Sequence, residues 1–330
     1  MKKTHKFAAL VLAGFALIFF VTSSSNGDPS SWAYEWPKTD FKKASVPLTD
    51  ILSGGVRKDQ IPSIDKPKFA AQSEIKNIAK TEPVIGLVLN GEAKAYPLQI
   101  LTWHEIVNDS IGGVPVSVTF CPLCNAAMVF DRRLDGKVLD FGTTGKLRNS
   151  DLVMYDRQTE TWWQQFTGTA IVGELTGKRL KLIPARLESY ENFQKRAPKG
   201  LVLIPNNVDM RDYGRNPYGG YDRRNAPYFK VAGLPKNIAP LARIVTVGER
   251  AWALKLLREK KEIKTADGLI LKWTPGQNSA LDSTAIMQGR DVGNVSVQKK
   301  VDGKLQDIPY GVDFAFAFTS FHPDKEIITE

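Results

Sequence analysis

The chain holds two cysteines in 330 residues, and both lie in one C-x-x-C, within Val116-Ser-Val-Thr-Phe-Cys-Pro-Leu-Cys-Asn125. Two thiols at this spacing serve as a metal clamp, a redox pair or a short disulfide staple. Histidine is nearly as scarce. Of the three present, His5 lies in the first few residues, leaving His104 and His322 beside Cys121 and Cys124. That is one tetrahedral Cys2His2 set, suited to zinc or, with softer donors, to Cu(I). A copper variant would replace His322 by the thioether of Met128 or Met154, although Met128 in Ala-Ala-Met-Val-Phe also suits a strand core.

The alternatives stay open at this level. Cys-Pro-x-Cys after a strand-like run is the local pattern by which thiol-disulfide enzymes expose an attacking thiolate, which here would be Cys121, with His104 placed to lower its pKa. The long helix that such folds put directly after the motif is missing, because only Asn125 to Asp131 intervene before a charged turn. A local disulfide would close so small a loop that it removes little chain entropy. A third class is a ligand-binding module. Asn149-Ser-Asp-Leu-Val-Met-Tyr-Asp-Arg157 and the following Trp162, Trp163, Gln164 and Gln165 set Asp151, Tyr155 and Asp156 near indoles and amides, which could line a polar cleft or equally build a hairpin with aromatic filling and Asp-capped turns. The Tyr/Arg/Gly-rich stretch from Tyr213 to Arg224 could grip an anionic or glycan ligand, or simply connect two units.

The elements that must position these residues are mainly strands. Val84 to Leu89, Asn90-Gly91 and the following Glu-Ala-Lys-Ala-Tyr predict a hairpin, and His104 to Asn108 with Pro115 to Phe120 predict a second one delivering Cys121. Leu187 to Arg196 is the one clear amphipathic helix expected in this half. Gly91-Glu-Ala-Lys-Ala-Tyr-Pro-Leu-Gln-Ile-Leu101 resembles Gly248-Glu-Arg-Ala-Trp-Ala-Leu-Lys-Leu-Leu257, and Arg133 to Phe141 resembles Lys300 to Ile308, in the same order. An internal repeat follows. The expected fold is α+β and predominantly β, with two duplicated β-rich units and an extended N-terminal arm. The divisions are 1–24 signal or anchor, 25–80 arm, 81–200 first repeat with the C-x-x-C, 201–240 connection and 241–330 second repeat without cysteine. A repeat that keeps its shape without these sulfurs argues that they serve function rather than folding.

Met-Lys-Lys-Thr-His-Lys followed by the uncharged run Phe7 to Val21 and a Ser-rich exit has the order of a secretory signal, shorter than the roughly 20 residues of a spanning helix. The expected location is periplasmic or extracellular, with a membrane anchor as the variant. There unprotected paired thiols oxidise. A chain with 42% hydrophobic and 24% charged residues is globular rather than disordered. The formal charge of +10 is dispersed and accompanied by no nucleic-acid-binding pattern, so the partners expected are a metal ion or small ligand and an envelope protein or anionic surface, not nucleic acid. No G-x-S-x-G, Walker loop or dinucleotide fingerprint is present. The sequence fixes no oligomeric state.

Four segments carry a family resemblance: Gly54 to Phe69, Trp103-His-Glu-Ile-Val-Asn-Asp109, Val118-Thr-Phe-Cys-Pro-Leu-Cys124, and Asn149 to Arg157 continuing to Trp163. In combination they resemble the DUF3179 family, a bacterial and archaeal family of unknown function, over about residues 40 to 325. The resemblance implies exported or membrane-attached proteins and carries no activity with it.

Overall fold

The computed structural model describes residues 29–330; the segment expected to be a signal, 1–24, lies outside them. The fold is mostly β with few helices, and its sheets form a five-blade propeller-like ring. Among the described residues no helix is long and apolar enough to cross a membrane.

Two of the blades share one plan. In the first, the hairpin Pro83–Leu89 and Glu92–Pro97 turns through Asn90 and Gly91, at φ 49° and 85°, the conformation an Asn-Gly hairpin turn adopts. The seven-residue helix Leu98–His104 follows. In the second, the hairpin Arg243–Val247 and Arg250–Ala253 leads into the seven-residue helix Leu254–Lys260. The residues that end these helices, Glu105 and Lys261, both adopt left-handed φ values of 58° and 63° without being glycine. Each hairpin gains an antiparallel outer strand, Arg186–Ser189 or Gly311–Phe314, which sets Glu188 opposite Val84 and Asp313 opposite Ile244. Each outer strand runs into another seven-residue helix, Tyr190–Arg196 or Ala315–Phe321, and then into a strand parallel to the second hairpin strand.

Between hairpin and outer strand, each half inserts a further sheet. The first insertion contains Ile106–Ile111, Val114–Cys121 and Ala126–Asp131. The second contains Glu262–Lys264, Leu269–Thr274, Asn294–Val301 and Lys304–Asp307. The fifth blade, centred on Phe141–Arg148 and Asp151–Asp156, belongs to the first half alone. The N-terminal segment crosses several blades: Ile51–Ser53 pairs with Phe141–Arg148, and Lys68–Ala71 with Leu201–Ile204. One large apolar core runs through both halves and includes the two cysteines.

Two local expectations change. His104 ends a helix rather than beginning a strand, because Leu98–His104 follows directly from the hairpin at Pro97. The helix expected from Leu187 begins at Tyr190, where the Ser189 hydroxyl accepts the Asn192 N–H and residues 186–189 are pulled into a sheet. Helices of seven residues span only about two turns, less than the roughly 11 residues over which an amphipathic pattern stands out, so the strands around them dominate the pattern.

Candidate metal centre

Two segments bring their side chains to one buried point, and a third lies near enough to act on it electrostatically. The first is the loop closing Val114–Cys121 onto Ala126–Asp131. Its turn is held by Cys124 N–H donating to Cys121 O at 3.2 Å and Asn125 N–H to Pro122 O at 3.3 Å. Asn125 reverses the chain at φ 53° and is pinned from the second half, its Nδ2 donating to Val312 O at 2.6 Å while its Oδ1 accepts from Arg243 at 3.3 Å. Phe314 N–H also donates to Cys124 O at 2.9 Å.

The second segment is the turn between Phe141–Arg148 and Asp151–Asp156. Arg148 pairs with Asp151, so Asn149 and Ser150 alone make the turn, at φ 54° and 62°. Serine gives up about 1 kcal/mol or more in this conformation, and a strained turn of this kind marks functional sites more often than ordinary loops. Here it aims the Ser150 carbonyl at both thiols, 3.5 Å from Cys124 Sγ and 4.0 Å from Cys121 Sγ. The next residue, Asp151, is fully buried.

One donor atom each from Cys121, Cys124 and Asp151 lie within 4.8 Å of one another. Both cysteines are free and buried. Asp151 uses only one carboxylate oxygen on the protein: Oδ2 accepts from Gln164 Nε2 at 2.6 Å and from Phe166 N–H at 2.9 Å, while the buried Oδ1 has no hydrogen-bond partner. A buried carboxylate oxygen left without a partner costs about 1–3 kcal/mol or more, and a bound cation would remove that cost.

The third segment is the helix-ending turn at Glu105, whose main chain is held by Leu101 O and Phe120 N–H. No hydrogen bond or ion pair reaches its buried carboxyl among the described residues. Asp313, on the outer strand of the second half, is fully buried. Its Oδ2 accepts from Thr246 at 2.6 Å, and its Oδ1 has no partner.

Burial is the first cause of every acid shift here, and mutual repulsion adds to it. The Glu105 carboxyl is pushed up to about 8 by desolvation and then by Asp151. Asp313 is raised to about 7 despite its Thr246 hydrogen bond. Asp151 rises to about 6, with Gln164, Phe166 and the neighbouring Cys121 and Cys124 thiols opposing the effect of burial. Both thiols are raised by burial, Cys124 well above the ordinary range. Cys121, Cys124 and Asp151 thus form a group that favours a cation, and the Glu105 and Asp313 carboxyls are near enough to act on it electrostatically. Of the nearby cations, Arg243 pairs with Asp222 at 2.8 Å, and Arg148, cross-strand from Asp151, lies 3.5 Å from Gln164 Oε1 with its buried Nε unpartnered.

The histidines predicted from composition are not in this group. Both ring nitrogens of His104 have partners, Nδ1 with Pro62 O at 2.7 Å and Nε2 with Tyr213 Oη at 2.8 Å. His322 ends the helix Ala315–Phe321 and packs on Phe318, with ring centroids 4.9 Å apart. The place given to histidine in the sequence reading is taken by Asp151, which the turn at Asn149 and Ser150 brings to the thiols, whereas the His104 ring is tied to Pro62 and Tyr213. Met128 and Met154 pack in the main core.

The six cleft candidates also separate. Asp151 joins the thiols with Gln164 as its donor, whereas Asp156 accepts from Trp163 Nε1 at 2.9 Å and from Thr159. Tyr155 donates to Asp59, and Trp162 is buried against Trp32 and Trp36. They therefore do not line one cleft. Glu105 and Asp313 escaped the sequence reading. Glu105 had a signal in the HE-x-x-ND segment, but Asp313 had none, since its role depends on a contact between the halves.

Neither the curated proteins nor the solved structures include a significant match to this chain. A family model described as "Protein of unknown function (DUF3179)" matches residues 58–325, a span that contains Glu105, the C-x-x-C, Asp151 and Asp313, and the chain belongs to that family.

Proposed function

We propose that this protein binds a thiophilic divalent cation, zinc in the first place, through Cys121, Cys124 and Asp151. The observation that carries the proposal is the convergence of two free thiols on a buried carboxylate oxygen that has no partner. Two thiolates with one carboxylate suit zinc, which takes Cys and Asp ligands in tetrahedral sites. The hard carboxylate oxygen counts against Cu(I). Three protein ligands leave a fourth position for water or a substrate, as in catalytic rather than structural zinc sites. A thiol-disulfide role is the weaker reading, because an attacking thiolate needs exposure and a lowered pKa, whereas these thiols are buried and raised.

The matched blades support reading the chain as a duplication in which the first half supplies the ligands and the second half lends Asp313 and the Asn125 anchor. With an exported location, the role is metal handling or metal-dependent chemistry in the envelope, against an envelope protein or anionic surface.

Metal analysis of anaerobically purified protein, with thiol titration, tests this. One zinc per chain is expected, lost in Cys124→Ser and Asp151→Asn while circular dichroism stays native. Zinc retained in both variants, or a metal-free protein with a readily reducible disulfide, would overturn the assignment.

A further inference from the structure

Arg243, whose guanidinium touches Asn125 beside the thiols, also forms part of the wall of a separate cleft of about 700 Å3. Six cations line it: Arg223, Arg224, Arg243, Lys255, Arg258 and Arg290. Three of the four carboxylates near them, Asp222, Asp282 and Asp291, are already committed. Asp222 is held by Arg243 at 2.8 Å and Arg290 at 3.0 Å, and Asp282 by Arg223 and Arg290. Asp291 spends its oxygens on the N–H groups of Gly276, Gln277 and Gly293, and Glu259 meets Lys255 only at 3.9 Å on the surface.

Arg224 and Arg258 have no carboxylate partner among the described residues. Each is instead stacked on a ring, Arg224 at 4.6 Å from the Tyr228 centroid and Arg258 at 5.3 Å from that of Trp273. Stacking fixes the plane of a guanidinium and leaves its N–H edge free, so little ordering remains to be done when an oxyanion arrives. Buried Leu241, Leu254, Leu256 and Val292 supply apolar wall between the charges.

From this arrangement we infer that the cleft binds a small organic oxyanion, a phosphate ester or carboxylate carrying an apolar body. The two stacked arginines grip the acidic group through paired N–H···O bonds, and the leucines cover the remainder. The site is independent of the metal assignment and stands if that assignment fails.

Isothermal titration of the full chain with phenyl phosphate, benzoate and inorganic phosphate tests it. Saturable one-site binding is expected for phenyl phosphate or benzoate, the tighter of the two naming the class, with inorganic phosphate weaker by about tenfold for want of an apolar body. Arg224→Gln and Arg258→Gln should each weaken binding by about tenfold, the worth of a charge-assisted hydrogen-bond pair. Lys260→Gln, exposed on the same helix but outside the cleft, should leave binding unchanged. Absence of saturable binding for both organic probes, or equal affinities in the Arg224, Arg258 and Lys260 variants, would overturn the inference.

Discussion

Glu105 sets a pH dependence that the metal-free protein should display. Its carboxyl titrates near 8 when folded, against 4.5 for an ordinary glutamate, because burial and then the Asp151 charge oppose ionisation. Between those values the folded form keeps a proton that the unfolded chain has released, so stability falls as pH rises through the window and is lowest above it. One proton corresponds to about 1.4 kcal/mol per pH unit, and a window of some three to four units gives on the order of 5 kcal/mol, a large part of a typical domain's net stability. Glu105→Gln keeps the shape and removes the charge. Urea unfolding followed by tryptophan fluorescence, on reduced and chelator-treated protein, should find the two proteins similar at pH 5 and the variant more stable by about 3–5 kcal/mol at pH 9. Asp151 and Asp313 titrate inside the same window, near 6 and near 7, so the variant should keep part of the slope. A stability difference that is the same at pH 5 and pH 9 would refute the buried, cation-free environment assigned to Glu105.

Removing either histidine should leave the metal site intact: His104→Ala and His322→Ala are expected to retain one zinc by metal analysis, with His104→Ala losing about 1–3 kcal/mol from its two hydrogen bonds in urea melts. Gly145→Ala should destabilise by about 2–4 kcal/mol, because the residue sits at φ 69° and a Cβ would stand 2.1 Å from Val56 O where the arm crosses the blade. Faster proteolysis within residues 54–60 would show the arm lifting.

What the sequence revealed and what it concealed divide along contact range. The Asn90-Gly91 turn and the Asp-Gly turns at 135–136 and 302–303 are local chemistry, and they appear where composition puts them. The likeness of the Gly91 and Gly248 segments has a local counterpart, since each opens a hairpin strand that runs into a helix. Asp151 was legible as a candidate but not as a partner of the thiols. Nothing in a sequence says that a turn whose Ser150 lies 26 residues beyond Cys124 folds back onto it. Counting histidines failed for a related reason: a scarce residue type looks reserved for chemistry, yet His104 serves to tie Pro62 to Tyr213.

The charge balance of the site makes a final demand on metal binding. At pH 7.5 Asp151, titrating near 6, is ionised in the metal-free protein, whereas both thiols hold their protons because burial raises them. A dication bound by two thiolates and a carboxylate must therefore expel about two protons at this pH, and close to three below pH 6, where Asp151 is protonated as well. Zinc affinity should accordingly fall by about two orders of magnitude per pH unit lost near neutrality, and more steeply in acid. Calorimetric titration of zinc in buffers of different ionisation enthalpy counts these protons directly. Release of fewer than one proton per zinc at pH 7.5 would mean that the ion is held without Cys121 and Cys124, since a thiol cannot ligate zinc and keep its proton.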